Sequence, residues 1–197
     1  YSGPLINEMY DFLIGGDGFD AMPVPGDSRY CYAQSQGGSL RRMDVATGWS
    51  KSIRPQAEAG EKLRFNWNSA LAQDPFDNNT IYFGSQFVHK SSDRGDSWIK
   101  ISPDLTTNDP EKQKQDQSGG ITLEATGAEN HCTILTISPS SLRQGVIWAG
   151  TDDGMIQLTE DGGRNWRNTS RNIKGMPRNG WVAQVTASLH DPGEAFA

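Results

Sequence analysis

The sequence predicts an all-β fold assembled from repeated four-stranded antiparallel units, and three observations carry that reading. The pattern S-x-D-x-G-x-x-W runs from Ser91 to Trp98 and returns from Thr159 to Trp166 with Thr in the first position. Each copy follows a short apolar run and precedes another candidate strand (Trp98-Ile99-Lys100-Ile101 and Trp166-Arg167-Asn168), so each reads as a hairpin connection and not as a helix start. The composition agrees: 22 Gly in 197 residues, with 35% hydrophobic and 9% aromatic side chains, suits a turn-rich β chain. Within the pattern, the Asp carboxylate accepts backbone N–H groups and the Gly takes a positive φ. The Trp is expected to start the next strand and bury its ring under the turn.

In chain order, residues 1–14 read as a leading loop with one helical turn. The first unit, residues 15–52, begins at Asp17-Gly18-Phe19 and turns at Pro25-Gly26-Asp27. It continues through the strands Arg29–Ala33 and Ser39–Asp44 and closes on a degenerate copy of the pattern, Asp44 to Trp49. Residues 52–62 are polar and unpatterned and read as a connecting loop. The second unit, 63–103, turns at Pro75–Asn79, forms the strand Thr80–Gly84 and enters the first full pattern. The polar interval 104–129 is long for a compact domain and reads as a functional or mobile loop. The third unit, 129–170, turns at Ser138-Pro139 and again at Asp152-Asp153-Gly154, where Asp-Gly between apolar runs signals a hairpin with a type I′ turn. A fourth, 178–197, turns at His190–Gly193. Cys31 and Cys132 fall in separate apolar strands and read as buried free thiols.

A period of roughly fifty residues with four short strands per unit is that of a β-propeller blade. The chain then holds about three blades and the start of a fourth, and a closed ring needs further blades from the same chain or from a partner.

The repeated turns are Asp-boxes, and the chain resembles the BNR-repeat propellers of sialidases, sortilin-type (VPS10-like) receptors and several glycoside hydrolases. Further runs carry the resemblance: Gly15-Gly16-Asp17-Gly18-Phe19, Phe65-Asn66-Trp67-Asn68, Ile81-Tyr82-Phe83-Gly84, Ile101-Ser102-Pro103-Asp104-Leu105-Thr106 and Gly150-Thr151-Asp152-Asp153-Gly154. Relatives of this kind are often labelled glycosyl hydrolases. The resemblance implies a secreted, periplasmic or cell-surface protein whose boxes sit on the blade periphery in a structural role.

A propeller binds its ligand where the innermost strands enter the central channel. Asp17, Asn66, Asn130 and Asn179 stand at similar distances before their turns, which places one polar side chain per blade at the channel mouth. Trp67, His131 and Trp181 add stacking surfaces for a sugar ring or a peptide side chain. The alternative is that Asp and Asn only bond backbone at the strand start. Hydrolysis of a polysaccharide, as in the xyloglucanases, needs two carboxylates. Asp17 is the only acid at such a position, with Asp20 expected on the opposite strand face. The reading is therefore a binding module for protein or carbohydrate, with a xyloglucanase-like hydrolase as the alternative.

A net charge of −6 without a Lys/Arg cluster argues against a nucleic-acid partner. No apolar run is long enough to span a membrane. His89, His131 and His190 lack metal-ligand spacing, Asp152-Asp153-Gly154 lacks the alternating ligands of a calcium loop, and no cofactor is indicated. The open array of blades predicts that residues 1–197 alone are insoluble or melt without a sharp transition. A cooperative calorimetric transition from a soluble monomer contradicts this.

Overall fold

The computed structural model describes residues 12–114 and 130–197. The leading segment, apart from its last three residues, and residues 115–129 of the long polar interval lie outside the described residues. Three four-stranded antiparallel sheets and a two-stranded pair account for the strands described. The first sheet holds β1 (Gly18–Val24), β2 (Asp27–Ser35), β3 (Ser39–Asp44) and β4 (Trp49–Ser52). The second holds β5 (Leu71–Gln73), β6 (Ile81–Gly84), β7 (Val88–Ser91) and β8 (Ile99–Lys100). The third holds β9 (Ile134–Pro139), β10 (Ile147–Thr151), β11 (Ile156–Thr159) and β12 (Arg167–Asn168), and β13 (Thr186–Ala187) pairs with β14 (Ala195–Phe196). Within every sheet, neighbouring strands are consecutive in sequence.

Ile81-Tyr82-Phe83-Gly84 and Ile147-Trp148-Ala149-Gly150-Thr151 are continuous apolar runs without alternation, the pattern of strands covered on both faces. Accordingly, every residue of β6 and β10 is buried, whereas the two-residue strands β8 and β12 are exposed. The sheets pack face to face, and each seam is an apolar cluster. Tyr32, Leu40 and Ile53 of the first sheet meet Phe65, Ile81 and Phe83 of the second. Tyr82 and Val88 of the second meet Ile134, Ile137, Ile147 and Ala149 of the third. Trp148, Ile156 and Leu158 then meet Val182, Val185 and Ala187.

The two repeated turns join third strand to fourth, β7 to β8 and β11 to β12. Asp93 accepts the Ser97 amide (2.8 Å) and hydroxyl (2.6 Å), and Asp161 accepts the Asn165 amide (2.9 Å) and side-chain amide (2.6 Å). These bonds hold both carboxylates down at about 2. The first-position hydroxyls of Ser91 and Thr159 accept the amides of Gly95 (2.7 Å) and Gly163 (2.9 Å). The Trp rings do not lie under their own turns. Trp98 Nε1 donates to the carbonyl of Ile53 just after β4 (2.7 Å), and Trp166 Nε1 donates to the carbonyl of Ile101 just after β8 (2.8 Å). The reason is space: each turn is pressed so closely on the preceding sheet that only Gly fits. A Cβ on Gly95 (φ +89) would strike Ile53, and one on Gly163 (φ +99) would strike Ile101.

Three local expectations change. β9 runs through Pro139 and the turn follows it, because the Ser140 amide still pairs with the Val146 carbonyl (2.9 Å) and Ser140 Oγ accepts the Leu142 amide (3.2 Å). In Asp152-Asp153-Gly154 only Gly154 has a positive φ, so the hairpin is not the type I′ turn, which requires two such residues. Cys132 precedes β9 with φ 58 and is not in a strand, although both cysteines are buried and free. Among the described residues no helix is long and apolar enough to cross a membrane.

Gly163→Ala is expected to cost about 3 kcal/mol, since it combines a strained φ with a collision against Ile101. Gly162→Ala, at φ +72 with open space around it, is expected to cost about 1 kcal/mol. The relative proteolytic susceptibility of the two variants, which needs no sharp unfolding transition, checks the difference.

Candidate functional site

In each sheet the first strand starts beside the end of the second, because the two are antiparallel. The sequence-predicted residues lie on these starting edges, and the edges of successive sheets are stitched together. Gly37, in the turn between β2 and β3, donates its amide to the Trp67 carbonyl (3.1 Å). Ile134 donates to the Ser85 carbonyl (2.8 Å), and Arg64 Nε to the Cys132 carbonyl (3.1 Å). Val182 donates to the Thr151 carbonyl (3.0 Å).

The densest chemistry lies where the second and third sheets meet. Asp152, fully buried in the turn between β10 and β11, accepts the Thr133 amide on Oδ1 (3.0 Å) and the Thr133 hydroxyl on Oδ2 (2.5 Å). Asn66 Nδ2 joins them, 3.1 Å from Thr133 Oγ1 and 3.2 Å from Asp152 Oδ2. His131 Nδ1 stands 3.5 Å from Asp152 Oδ1 and accepts the Cys132 amide (3.0 Å). That bond requires Nδ1 to be unprotonated, so the neutral ring carries its hydrogen on Nε2. The imidazole edge meets the indole of Trp181, with ring centroids 6.3 Å apart. Trp181 is 63% exposed. The next residue's amide holds it there, since Val182 donates to the Thr151 carbonyl (3.0 Å), and Asn179 and Gly180 pass close over Gly154.

Asp153 faces the other way and is equally buried. It accepts the Thr151 hydroxyl (2.5 Å) and both the amide and hydroxyl of Thr107 (2.7 Å each), which ties the segment after β8 to the hairpin. The adjacent carboxylates are driven in opposite directions. Burial pushes Asp152 above the usual carboxylate range against its bonds from Thr133, whereas at Asp153 the bonds from Thr151 and Thr107 outweigh burial and hold it down. Burial also raises the Cys132 thiol.

The predicted residues therefore divide. His131 and Trp181 come together at the surface. Asn66 is buried, and its Oδ1 accepts the Asn68 amide (3.2 Å) while Nδ2 binds the Asp152 cluster. Asn130 bonds the Phe65 carbonyl (2.9 Å). Trp67 is half-buried and engaged through its backbone, and Asn179 is exposed with φ 59. Asp17 is exposed on the first sheet, its amide bonded to Gln36 Oε1 (2.9 Å), and Asp20 accepts Gln34 Nε2 (2.8 Å). Asp152, Asp153, Thr133 and Thr107 escaped sequence reasoning. The hydroxyl-flanked run Thr151-Asp152-Asp153 was their signal, masked by its resemblance to an ordinary exposed turn. Among the described residues, no group of three or more His, Cys, Asp or Glu side chains has metal-holding geometry.

No protein-family model matches this sequence, and no curated protein matches it. Among solved structures it is similar to YCF48 bound to a D1 peptide, at 17% identity over 88% of this chain and 45% of that one, with a TM-score of 0.50. It also aligns with YCF48 from Cyanidioschyzon merolae (14% identity, 88% and 48% covered, TM-score 0.46). A GH74 xyloglucanase from Xanthomonas campestris aligns too (18% identity, 84% and 32% covered, TM-score 0.40). The chain thus spans less than half the length of these structures. YCF48 is a β-propeller, and the likeness concerns fold alone: the all-β chain of four-stranded antiparallel sheets fits a propeller.

Asp152→Ala is expected to cost about 3 kcal/mol, because Thr133 and Asn66 lose their buried acceptor. Trp181→Ala, which removes an exposed ring, is expected to cost under about 1 kcal/mol. The relative proteolytic susceptibility of both variants distinguishes the internal knot from the surface beside it.

Proposed function

We propose that the sheets are consecutive blades of an Asp-box propeller of the sortilin type, and that the chain is a non-catalytic binding module for protein or carbohydrate. The observation that supports this most is the exposed Trp181 ring, which meets the edge of His131, itself held by the bond from the Cys132 amide to Nδ1. An aromatic face held this way offers contact area at low entropic cost, as recognition sites for peptides and sugars do. YCF48, similar in fold, is named with a bound D1 peptide. That favours a peptide as the first ligand to test. We further propose a secreted, periplasmic or cell-surface location, in keeping with the resemblance to sortilin-type propellers. Remaining blades would come from the same chain or a partner.

The hydrolase reading is supported by one feature, the exposed carboxylate of Asp17 on the first starting edge. A glycosidase needs a second carboxylate at about 5 to 9.5 Å with access to the sugar. Asp152 and Asp153 have none: both are fully buried, and their oxygens are engaged by Thr133, Asn66, Thr151 and Thr107.

A displayed peptide library panned on the protein tests the binding reading, with Trp181→Ala as the counter-target. Peptides that bind the parent at least about tenfold more tightly than the variant are expected, a difference of about 1.4 kcal/mol. Equal capture by both contradicts a role for this surface. Hydrolysis of xyloglucan that Asp17→Ala abolishes overturns the non-catalytic reading.

A further inference from the structure

The degenerate turn that closes the first sheet, Asp44 to Trp49, has the Asp-to-Trp spacing of the two boxes but stands one residue out of step with them. Arg42 and Lys90 hold the same place on the third strands of their sheets, opposite Tyr32 and Tyr82, and their fourth-strand partners are Lys51 and Ile99. Ser50 therefore stands where the second sheet has Trp98, and Trp49 stands where it has Ser97. The pairing of Leu158 with Arg167 puts Asn165 at the same place in the third sheet. Ser97 and Asn165 turn their side chains back onto the box carboxylates of Asp93 and Asp161. Trp49 cannot close its turn in that way. Two residues before Lys51 and directly opposite Asp44, it shares the strand face of Lys51, Arg42 and Tyr30, the face turned to the second sheet, and its ring is exposed.

The ring lines a cleft of about 260 Å³ between the first two sheets, together with Tyr30, Arg42 and the box residues Asp93, Arg94 and Asp96. The charges in this cleft are already matched. Arg42 donates to the Arg94 carbonyl (2.8 Å) and, with Lys51, holds Asp96 Oδ1 (3.1 and 2.7 Å). Arg94 commits Nε to Asn79 (2.8 Å) and Nη1 to Asp27 (3.0 Å). Two groups keep bonding capacity. Arg94 Nη2 donates to none of the described residues, and Asp96 Oδ2 has only a long contact from Arg42 (3.4 Å). Lys51 and Arg42 hold the Asp96 carboxyl below the usual carboxylate range, so it is an acceptor at neutral pH. The guanidinium groups of Arg29 and Arg94 lie over the Tyr30 ring, 5.4 and 5.9 Å from its centroid, which leaves Trp49 as the open aromatic surface.

We infer that this cleft is a binding site for one neutral sugar ring, separate from the surface at His131 and Trp181. The C–H face of the sugar stacks on the Trp49 indole, one hydroxyl accepts from Arg94 Nη2, and the same hydroxyl or its neighbour donates to Asp96 Oδ2. A hydroxyl suits this place because it both donates and accepts, whereas a charged group meets ions that already neutralise one another. The size agrees: clefts that take drug-sized ligands hold about 300–1,000 Å³, and this smaller one suits a single ring. The inference draws on neither His131 nor Trp181, so it and the proposed recognition surface can fail independently.

Saturation-transfer NMR of the protein with the methyl glycosides of glucose, galactose, mannose and xylose tests the site, with Trp49→Ala, Trp49→Tyr and Trp181→Ala variants beside the parent. At least one glycoside is expected to bind through its ring C–H protons. Its Kd is expected to rise at least about tenfold in Trp49→Ala, to stay within about threefold in Trp49→Tyr, and to be unchanged in Trp181→Ala. Binding that Trp49→Ala leaves intact, or that Trp181→Ala removes, overturns the inference, as does a loss in Trp49→Tyr equal to that in Trp49→Ala. Binding by none of the four glycosides also overturns it, and a response to acetate or ethylammonium in their place assigns the cleft to a charged group.

Discussion

The architecture depends on how one sheet is pinned to the next. β6 and β10 are apolar on both faces, so an isolated sheet exposes surface that only a neighbouring sheet can cover. Burying each large side chain of a seam is worth roughly 1.5–3 kcal/mol, while a single indole-to-carbonyl bond contributes about 1 kcal/mol. Apolar burial therefore supplies most of the attraction between sheets. The indole bonds and the Gly contacts at Ile53 and Ile101 set where along the seam the sheets lock. The box carboxylates act one step further back, holding the turn in the shape that aims the indole outward.

At the starting edges the balance is reversed, because here polar groups are buried and must be satisfied. Asp152 loses its hydration and recovers it through Thr133 and Asn66, which come from the approaches to β9 and β5. This knot joins two sheets through side chains, and the same hairpin takes the Val182 amide on its Thr151 carbonyl, which sets Trp181 beside His131. The link from stability to function runs through this turn: the residues that hold the sheets in place also fix the geometry of the exposed aromatic pair.

The all-β class, the order of the strands and the position of the repeated turns were legible because apolar runs, Gly and the Asp-to-Trp spacing report local structure directly. The destination of the Trp rings was not, since a spacing within one turn carries no information about the sheet against which that turn packs. Asn66 illustrates the same limit. Its place before a strand was readable, but its partners Thr133 and Asp152 are distant in sequence, and only the packing of two sheets brings them together. His131 and Trp181 were readable as aromatic residues before their strands, and their mutual contact was not. Trp49 shares the Asp-to-Trp spacing yet is 56% exposed, so the spacing alone does not bury the ring.

Hydrogen exchange at the indole Nε1 positions, followed by NMR under native conditions, tests the pinning of sheet to sheet most directly. The account predicts that Trp98 and Trp166, each bonded to a carbonyl of the preceding sheet, exchange as slowly as the amides of β6 and β10, while Trp49 and Trp181 exchange at the rate of free indoles. Exchange of Trp98 and Trp166 as fast as that of Trp49 contradicts it.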